Sequence, residues 1–295
     1  MKNMRIPLIS AWVVAVIGII LGSFFDLSIS KMIASADSGY GLLISAIGPT
    51  IGFAAVAAMG GGFISLAVRG KYKAALKVLF YILAACCLGV AIYYPAGEYF
   101  GINGFYGAAP KWIGYLIVAP IEIAAMVGGF FLFKDCQNRK MWIVFVVVIV
   151  TLCIVLLAVI PTIKDNMHRP RYRLIATVND ELFHNWWEAT PNYKELIEKY
   201  GTVSENFKSF PSGHTAEASI LLVTFTFLPL AHEKFERYQI PLFIGGCLVV
   251  ILVAFARILA AAHFLSDVSM GACITLTATF IANEIVCHIR PLHRQ

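Results

Sequence analysis

Eight long apolar stretches limit how this chain can fold more than any other feature. They run near residues 6–25, 42–68, 76–95, 112–133, 141–163, 213–231, 240–259 and 263–287. Roughly 20 apolar residues wound as a helix cross the ~30 Å hydrocarbon layer of a bilayer. Within that layer the backbone finds no water, and a single segment can satisfy its own N–H and C=O groups only as a helix. The expected fold is therefore all-α, a polytopic membrane bundle of about eight transmembrane helices. Composition agrees: 59% of the 295 residues are hydrophobic and only 14% are charged, a balance that excludes an ordinary soluble domain. The first stretch, with Lys2 and Arg5 ahead of it, has the outline of a signal peptide. It lacks a small-residue cleavage site and more spans follow, so it reads as a permanent helix.

Positive charge sets the orientation. Lys2 and Arg5, then Arg69, Lys71, Lys73 and Lys77, then Lys134, Arg139 and Lys140, then Lys234 and Arg237, and finally Arg290 and Arg294 fall on one side. The opposite short loops hold only Lys31 and Lys111. The positive-inside rule then makes both termini cytoplasmic and puts the long 164–212 loop outside. The net charge of +6 is mainly topogenic and implies no nucleic-acid partner. The cysteines have neither zinc-type spacing nor a disulfide framework.

Polar chemistry interrupts the apolar pattern at Pro211-Ser212-Gly213-His214 and again from Arg257 through His263 to Asp267. On a helix, His263 and Asp267 would stand one turn apart on one face. The carboxylate could then fix the imidazole tautomer and leave the other nitrogen as a nucleophile. Ser212-Gly213 ahead of an apolar helix offers a hydroxyl and backbone N–H groups to an anion. Upstream, Lys164 and Arg169-Pro170 add cations, and a guanidinium can hold two phosphoryl oxygens. Singly, each feature has an ordinary reading: a helix cap, a snorkelling arginine, a polar pair joining helices. Three phosphate-compatible features on one membrane face favour chemistry.

These segments resemble the signature of the type 2 phosphatidic acid phosphatase (PAP2) superfamily, whose blocks are Lys-x6-Arg-Pro, Pro-Ser-Gly-His and Ser-Arg-x5-His-x3-Asp. The second block is complete, and the third keeps Arg257, His263 and Asp267 with Ala256 in the serine position. In the first, Arg169-Pro170 is present, but Lys164 lies two residues closer than the pattern requires and Thr162 holds the lysine position. The resemblance implies a metal-independent phosphatase without cofactor, acting on a lipid phosphate or diphosphate in a bacterial plasma membrane. Undecaprenyl diphosphate, phosphatidylglycerol phosphate and phosphatidic acid are the candidates. His263 would be the nucleophile, Asp267 its orienting partner and His214 the acid and base. Arg169, Arg257, Ser212, Gly213 and Lys164 would bind the phosphate, with Arg171 or Arg173 as substitutes for the lysine. Phosphotransfer to an alcohol, hydrolysis of a soluble sugar phosphate, and a non-catalytic lipid or phosphate transporter stand as alternatives.

The resemblance also implies a six-helix core over residues 71–295, including the outer loop, with the two helices of residues 1–70 as an addition. Asp26, Lys31 and Asp37 read as a solvated link between those two helices. Gly52 and Gly60-Gly61-Gly62 read as close helix contacts. Tyr93, Tyr94, Tyr99 and Tyr106 read as an interfacial aromatic belt. Glu122, near Pro120, reads as a neutral acid bonded to a carbonyl that the proline frees. In the outer loop Asn179 is expected to cap a short helix carrying Leu182, Phe183, Trp186 and Trp187. Thr190 and Pro191 should start a second that Gly201 ends, and both amphipathic helices should lie on the membrane surface.

Overall fold

The computed structural model describes residues 4–99 and 111–289. Tyr106 and its neighbours in the outer link, and Lys2, Arg290, His293 and Arg294, lie outside the described residues. Among the described residues there is no strand, and eight helices are long and apolar enough to cross a membrane. The chain is a polytopic helical bundle.

The first four spans are α1 (Arg5–Ile33), α2 (Gly39–Arg69), α3 (Ala74–Tyr93, continued by a π-helical turn over Tyr94–Tyr99) and α4 (Lys111–Phe133). The fifth is composite: α5 (Asn138–Leu152), a π-helical turn (Cys153–Val159) and α6 (Ile160–Met167). It stops at His168, whose φ of 47° is left-handed. After the outer loop come α9 (Gly213–Ala218) and α10 (Ile220–Ala231), which share one span, then α11 (Gln239–Leu259) and α12 (Leu265–Ile289). Between them lie two short helices, α7 (Tyr172–Ile175) and α8 (Tyr193–Tyr200).

Glycine lets these helices approach closely, as interfaces without a hydrophobic driving force require. A β-carbon on Gly61 would collide with the Met126 carbonyl of α4, and one on Gly129 of α4 would collide with Ala58 of α2. Gly52 sits in the same way against the Glu217 carbonyl of α9. Helix α2 thus packs on both α4 and α9.

The basic loops share one end of the bundle. Arg69 donates to the carbonyls of Lys134 (3.1 Å) and Cys136 (2.6 Å), Lys140 pairs with Glu233 (3.3 Å), and Arg5 donates to both carboxylate oxygens of Glu284 (2.8 and 2.6 Å). The outer loop closes the opposite end: Lys31 pairs with Asp180, and Trp186 donates to Ser23 Oγ at 2.9 Å.

Four expectations need correction. Helix α1 runs on through Asp26, which is buried rather than in a solvated link, because the helix continues to Ile33 along the body of the protein. Asn179 caps only a single 3₁₀ turn, Asp180–Leu182, after which Phe183 turns extended and Trp186 stacks on Phe210 with centroids 5.6 Å apart. Leu182 and Phe207 pack with Phe264, so this apolar face covers the protein's own end. The second loop helix starts at Tyr193, two residues beyond Pro191, and ends as expected at Gly201, whose φ of 57° suits glycine. Glu122 is buried beside Pro120, yet neither carboxyl oxygen has a hydrogen-bond partner, so the freed carbonyl is not its acceptor.

Candidate active site

Three segments distant in sequence are stitched together by their own backbones. Ser209 N–H donates to the Arg169 carbonyl (3.0 Å), Ser212 N–H to the Asp267 carbonyl (3.0 Å) and Arg173 N–H to the Ala261 carbonyl (2.8 Å). The turn between α11 and α12 is closed by the N–H groups of Ala262 and His263, both donating to the Arg257 carbonyl at 3.2 Å. Ala261 adopts a left-handed φ of 53°, a conformation that costs least for a small side chain. Gly271 of α12 completes the fit, because a β-carbon there would collide with the Ser212 carbonyl.

His263 lies in this turn, ahead of α12, not on its first helical face. Its Nδ1 is 2.6 Å from the Ser209 carbonyl, which can only accept, so Nδ1 carries the proton and Nε2 the lone pair. Asp267 Oδ2 stands 3.7 Å from Nδ1, too far for a hydrogen bond and close enough to act by charge. That carboxylate instead accepts from Ser209 Oγ at 2.5 Å and, reaching back over the start of α12, from the Phe264 N–H at 2.8 Å. The reach-back is a capping-box contact, which explains why the helix begins after His263. His263 Nε2 is buried and makes no hydrogen bond. Burial pushes the His263 pKa well below the usual imidazole range; Asp267 opposes this, while Arg171 and Arg257 add to it. The imidazole is therefore neutral at neutral pH.

Around His263 the structure gathers His214, Lys164, Arg171 and Arg257. His214, in the first turn of α9, is buried and within electrostatic range of Arg257, His263, Lys164 and Arg171. The Lys164 amine lies 3.8 Å from where a β-carbon on Gly213 would stand. Thr162, which occupies the lysine's expected position, is exposed. Ser212 caps α9: its oxygen accepts from the Thr215 N–H (3.4 Å) and the Thr215 hydroxyl (3.1 Å). Arg171 is buried, with Nε donating to the Glu205 carbonyl at 2.9 Å and Nη2 bonded to the Glu205 carboxylate. Arg173, the other substitute, donates to Asn206 Oδ1 at 2.8 Å.

Arg169 is a correction: it does not join the cations around His263. It is wholly buried, and each of its nitrogens is engaged. Nε donates to the His184 carbonyl (2.9 Å), Nη1 to Asp267 Oδ1 (2.5 Å) and Ser266 Oγ (2.8 Å), and Nη2 to Asp26 Oδ2 (2.9 Å). Its guanidinium also lies 4.3 Å from the centre of the Phe264 ring. Although only Pro170 separates them, the side chain of Arg171 lies on the His263 side and that of Arg169 in the interior.

A family model described as the PAP2 superfamily matches residues 140–288, just over half of the chain. The chain belongs to the PAP2 superfamily. No curated protein and no solved structure matched it. Membership implies phosphatase chemistry of the PAP2 type and makes α1 to α4 the part outside the match. It also bears on the first PAP2 block. Counted from Lys164, the arginine seven positions on is Arg171, so the Lys-x6-Arg spacing is intact and the proline stands before that arginine instead of after it. Counting from the lysine would have found this register; anchoring on Arg169-Pro170 displaced it. Ser209 carries no signal in the sequence, and Asp26, expected in a solvated link, is misplaced there for a different reason. Ser209 acts mainly through a backbone carbonyl, which every residue has, whereas an acid in an otherwise apolar span was a visible signal.

Proposed function

We propose that the protein is an integral membrane phosphatase that hydrolyses a lipid phosphate or diphosphate through a phosphohistidine on His263. The observation carrying this reading is the imidazole itself, with Nδ1 held by the Ser209 carbonyl and Nε2 unbonded amid Lys164, Arg171, Arg257 and His214. Nε2 attacks phosphorus as the bond to the leaving oxygen breaks, and His214 protonates that oxygen. His214 then takes a proton from the water that cleaves the N–P bond, releasing phosphate and a neutral His263. Lys164, Arg171 and Arg257, with the Ser212 hydroxyl and the Gly213 N–H, bind the charged equatorial oxygens. Three fixed cations supply the charge that a divalent metal brings to other phosphatases, so the reaction runs without one.

The site lies at the end of the bundle opposite the basic loops, which supports an outer-face location under the positive-inside rule. Exposed Trp187 at the same end suits an interfacial depth and a lipid-borne substrate. Undecaprenyl diphosphate, phosphatidylglycerol phosphate and phosphatidic acid are the compounds to assay, with a soluble sugar phosphate as comparison. The test is rapid quench of purified protein with ³²P-labelled substrate. We expect an acid-labile, base-stable label that is absent from His263→Ala and accumulates in His214→Ala when the leaving group needs little protonation. Label persisting on His263→Ala would overturn the nucleophile, and substrate bound but never cleaved would favour transport.

A further inference from the structure

Helix α1 lies outside the family match, yet it reaches the catalytic centre. Gly18, Gly22 and Asp26 recur every fourth residue, forming one stripe along α1. A β-carbon on Gly18 would collide with Ser269 of α12, and one on Gly22 would stand 2.6 Å from the Ser266 nitrogen. With glycine at both positions, α1 packs closely enough for Asp26 to enter the site. Asp26 Oδ1 accepts the Ser266 N–H at 3.0 Å. Oδ2 accepts the Ser266 hydroxyl, and also Arg169 Nη2 at 2.9 Å. Arg169 passes on to Asp267 at 2.5 Å, and Asp267 faces His263. The side chains of Asp26, Arg169 and Asp267 are all fully buried.

The charges decide what this chain of contacts does. One guanidinium lies between two carboxylates, so the buried group keeps one negative charge. Without Asp26, Arg169 would neutralise Asp267 alone, and the carboxylate facing His263 would no longer balance the positive charge that the Nδ1-protonated ring acquires when Nε2 bonds to phosphorus; Glu217, a further buried acid, lies within range of Lys164. We propose that Asp26 is a positioning residue of the active site. It shares the Arg169 guanidinium with Asp267, and so keeps that carboxylate aligned on His263 and electrostatically available to it. The span carrying Asp26 is thereby a functional part of the enzyme. This rests on His263 being the nucleophile.

Asp26→Asn keeps the shape and removes the charge. Outer hydrogen-bond partners of metal-bound histidines are worth about 10- to 100-fold, and the same scale is taken for a carboxylate acting on His263 through Arg169 and Asp267. We expect a fall of that size in kcat and in the rate of phosphoenzyme formation, with KM and inhibition by orthophosphate unchanged. Loss of a nearby negative charge also makes His263 harder to protonate, so the acid limb of kcat/KM moves to lower pH. Asp26→Asn/Arg169→Gln restores the net charge and should be faster than Asp26→Asn alone. If Asp26→Asn does not fold, the double variant carries the test: it leaves Asp267 as the one ionised member of the group, still held by the Ser209 hydroxyl and the Phe264 N–H. Wild-type kcat and acid limb in Asp26→Asn would overturn the proposal. So would a double variant slower than the single, or inactive although folded, which indicates a merely structural ion pair. Failure of the underlying reading looks different: wild-type protein would form no phosphoenzyme, or His263→Ala would turn over.

Discussion

Arg169 and Arg171 stand two residues apart and should fail in opposite ways. Arg169→Ala removes a cation bonded to two fully buried carboxylates, at 2.9 Å from Asp26 and 2.5 Å from Asp267. Breaking a buried pair by deleting one partner costs about 3–5 kcal/mol, because the ion left behind has lost its counter-charge without regaining water. Here two are left, so the cost should lie at or above the top of that range. Arg171→Ala instead loses bonds to Glu205, whose side chain is 32% exposed and can rehydrate, and the structural cost should be about 1–3 kcal/mol. Its catalytic cost is larger: deleting one preorganised donor to a transferring group lowers kcat by about 10²–10³-fold. Thermal unfolding in detergent, followed by tryptophan fluorescence, and phosphate release on the same samples separate the two. Arg169→Ala should lower the unfolding temperature strongly, whereas Arg171→Ala should unfold near wild type while losing turnover and phosphate affinity. A stable Arg169→Ala that has lost phosphate affinity, beside an active Arg171→Ala, would refute the assignment of Arg171 to the phosphate.

Other consequences are as direct. Activity should survive EDTA and be inhibited by vanadate; loss in chelator restored by magnesium would sink the fixed-cation account. Because burial and the nearby cations hold the His263 pKa below the usual imidazole range, the ring protonates, and loses its lone pair, only as pH falls through that lowered value. Arg257→Gln removes one of those cations and should move the acid limb of kcat/KM to higher pH; an unmoved limb would show that His263 does not control it. Gly61→Ala forces a β-carbon into the Met126 carbonyl and should destabilise the α2–α4 contact by about 1–3 kcal/mol, measured as a lower unfolding temperature. A cysteine at exposed Asn192 should react with an impermeant thiol reagent in intact cells, and labelling only after lysis would invert the topology.

Local information determined much of this protein. Apolar length alone located eight spans, because a lipid-buried backbone must be helical and about 20 residues long wherever it crosses. The block residues His214, Arg257, His263 and Asp267 were legible as types in a pattern, since few other reasons put histidine and arginine within such sequence. What the chain order concealed was the direction in which a side chain points. Arg169 and Arg171 are equally basic and nearly adjacent, and tertiary bonds of their loop to Asn206 and Ser209 accompany one facing His263 and the other buried in the interior. The partner of His263 Nδ1 is likewise a carbonyl, brought there by tertiary packing. Asp26 is the clearest case. It stands 240 residues from Ser266 in sequence, and its role exists only because two glycines let α1 close on α12 and carry a second carboxylate to the buried Arg169–Asp267 pair.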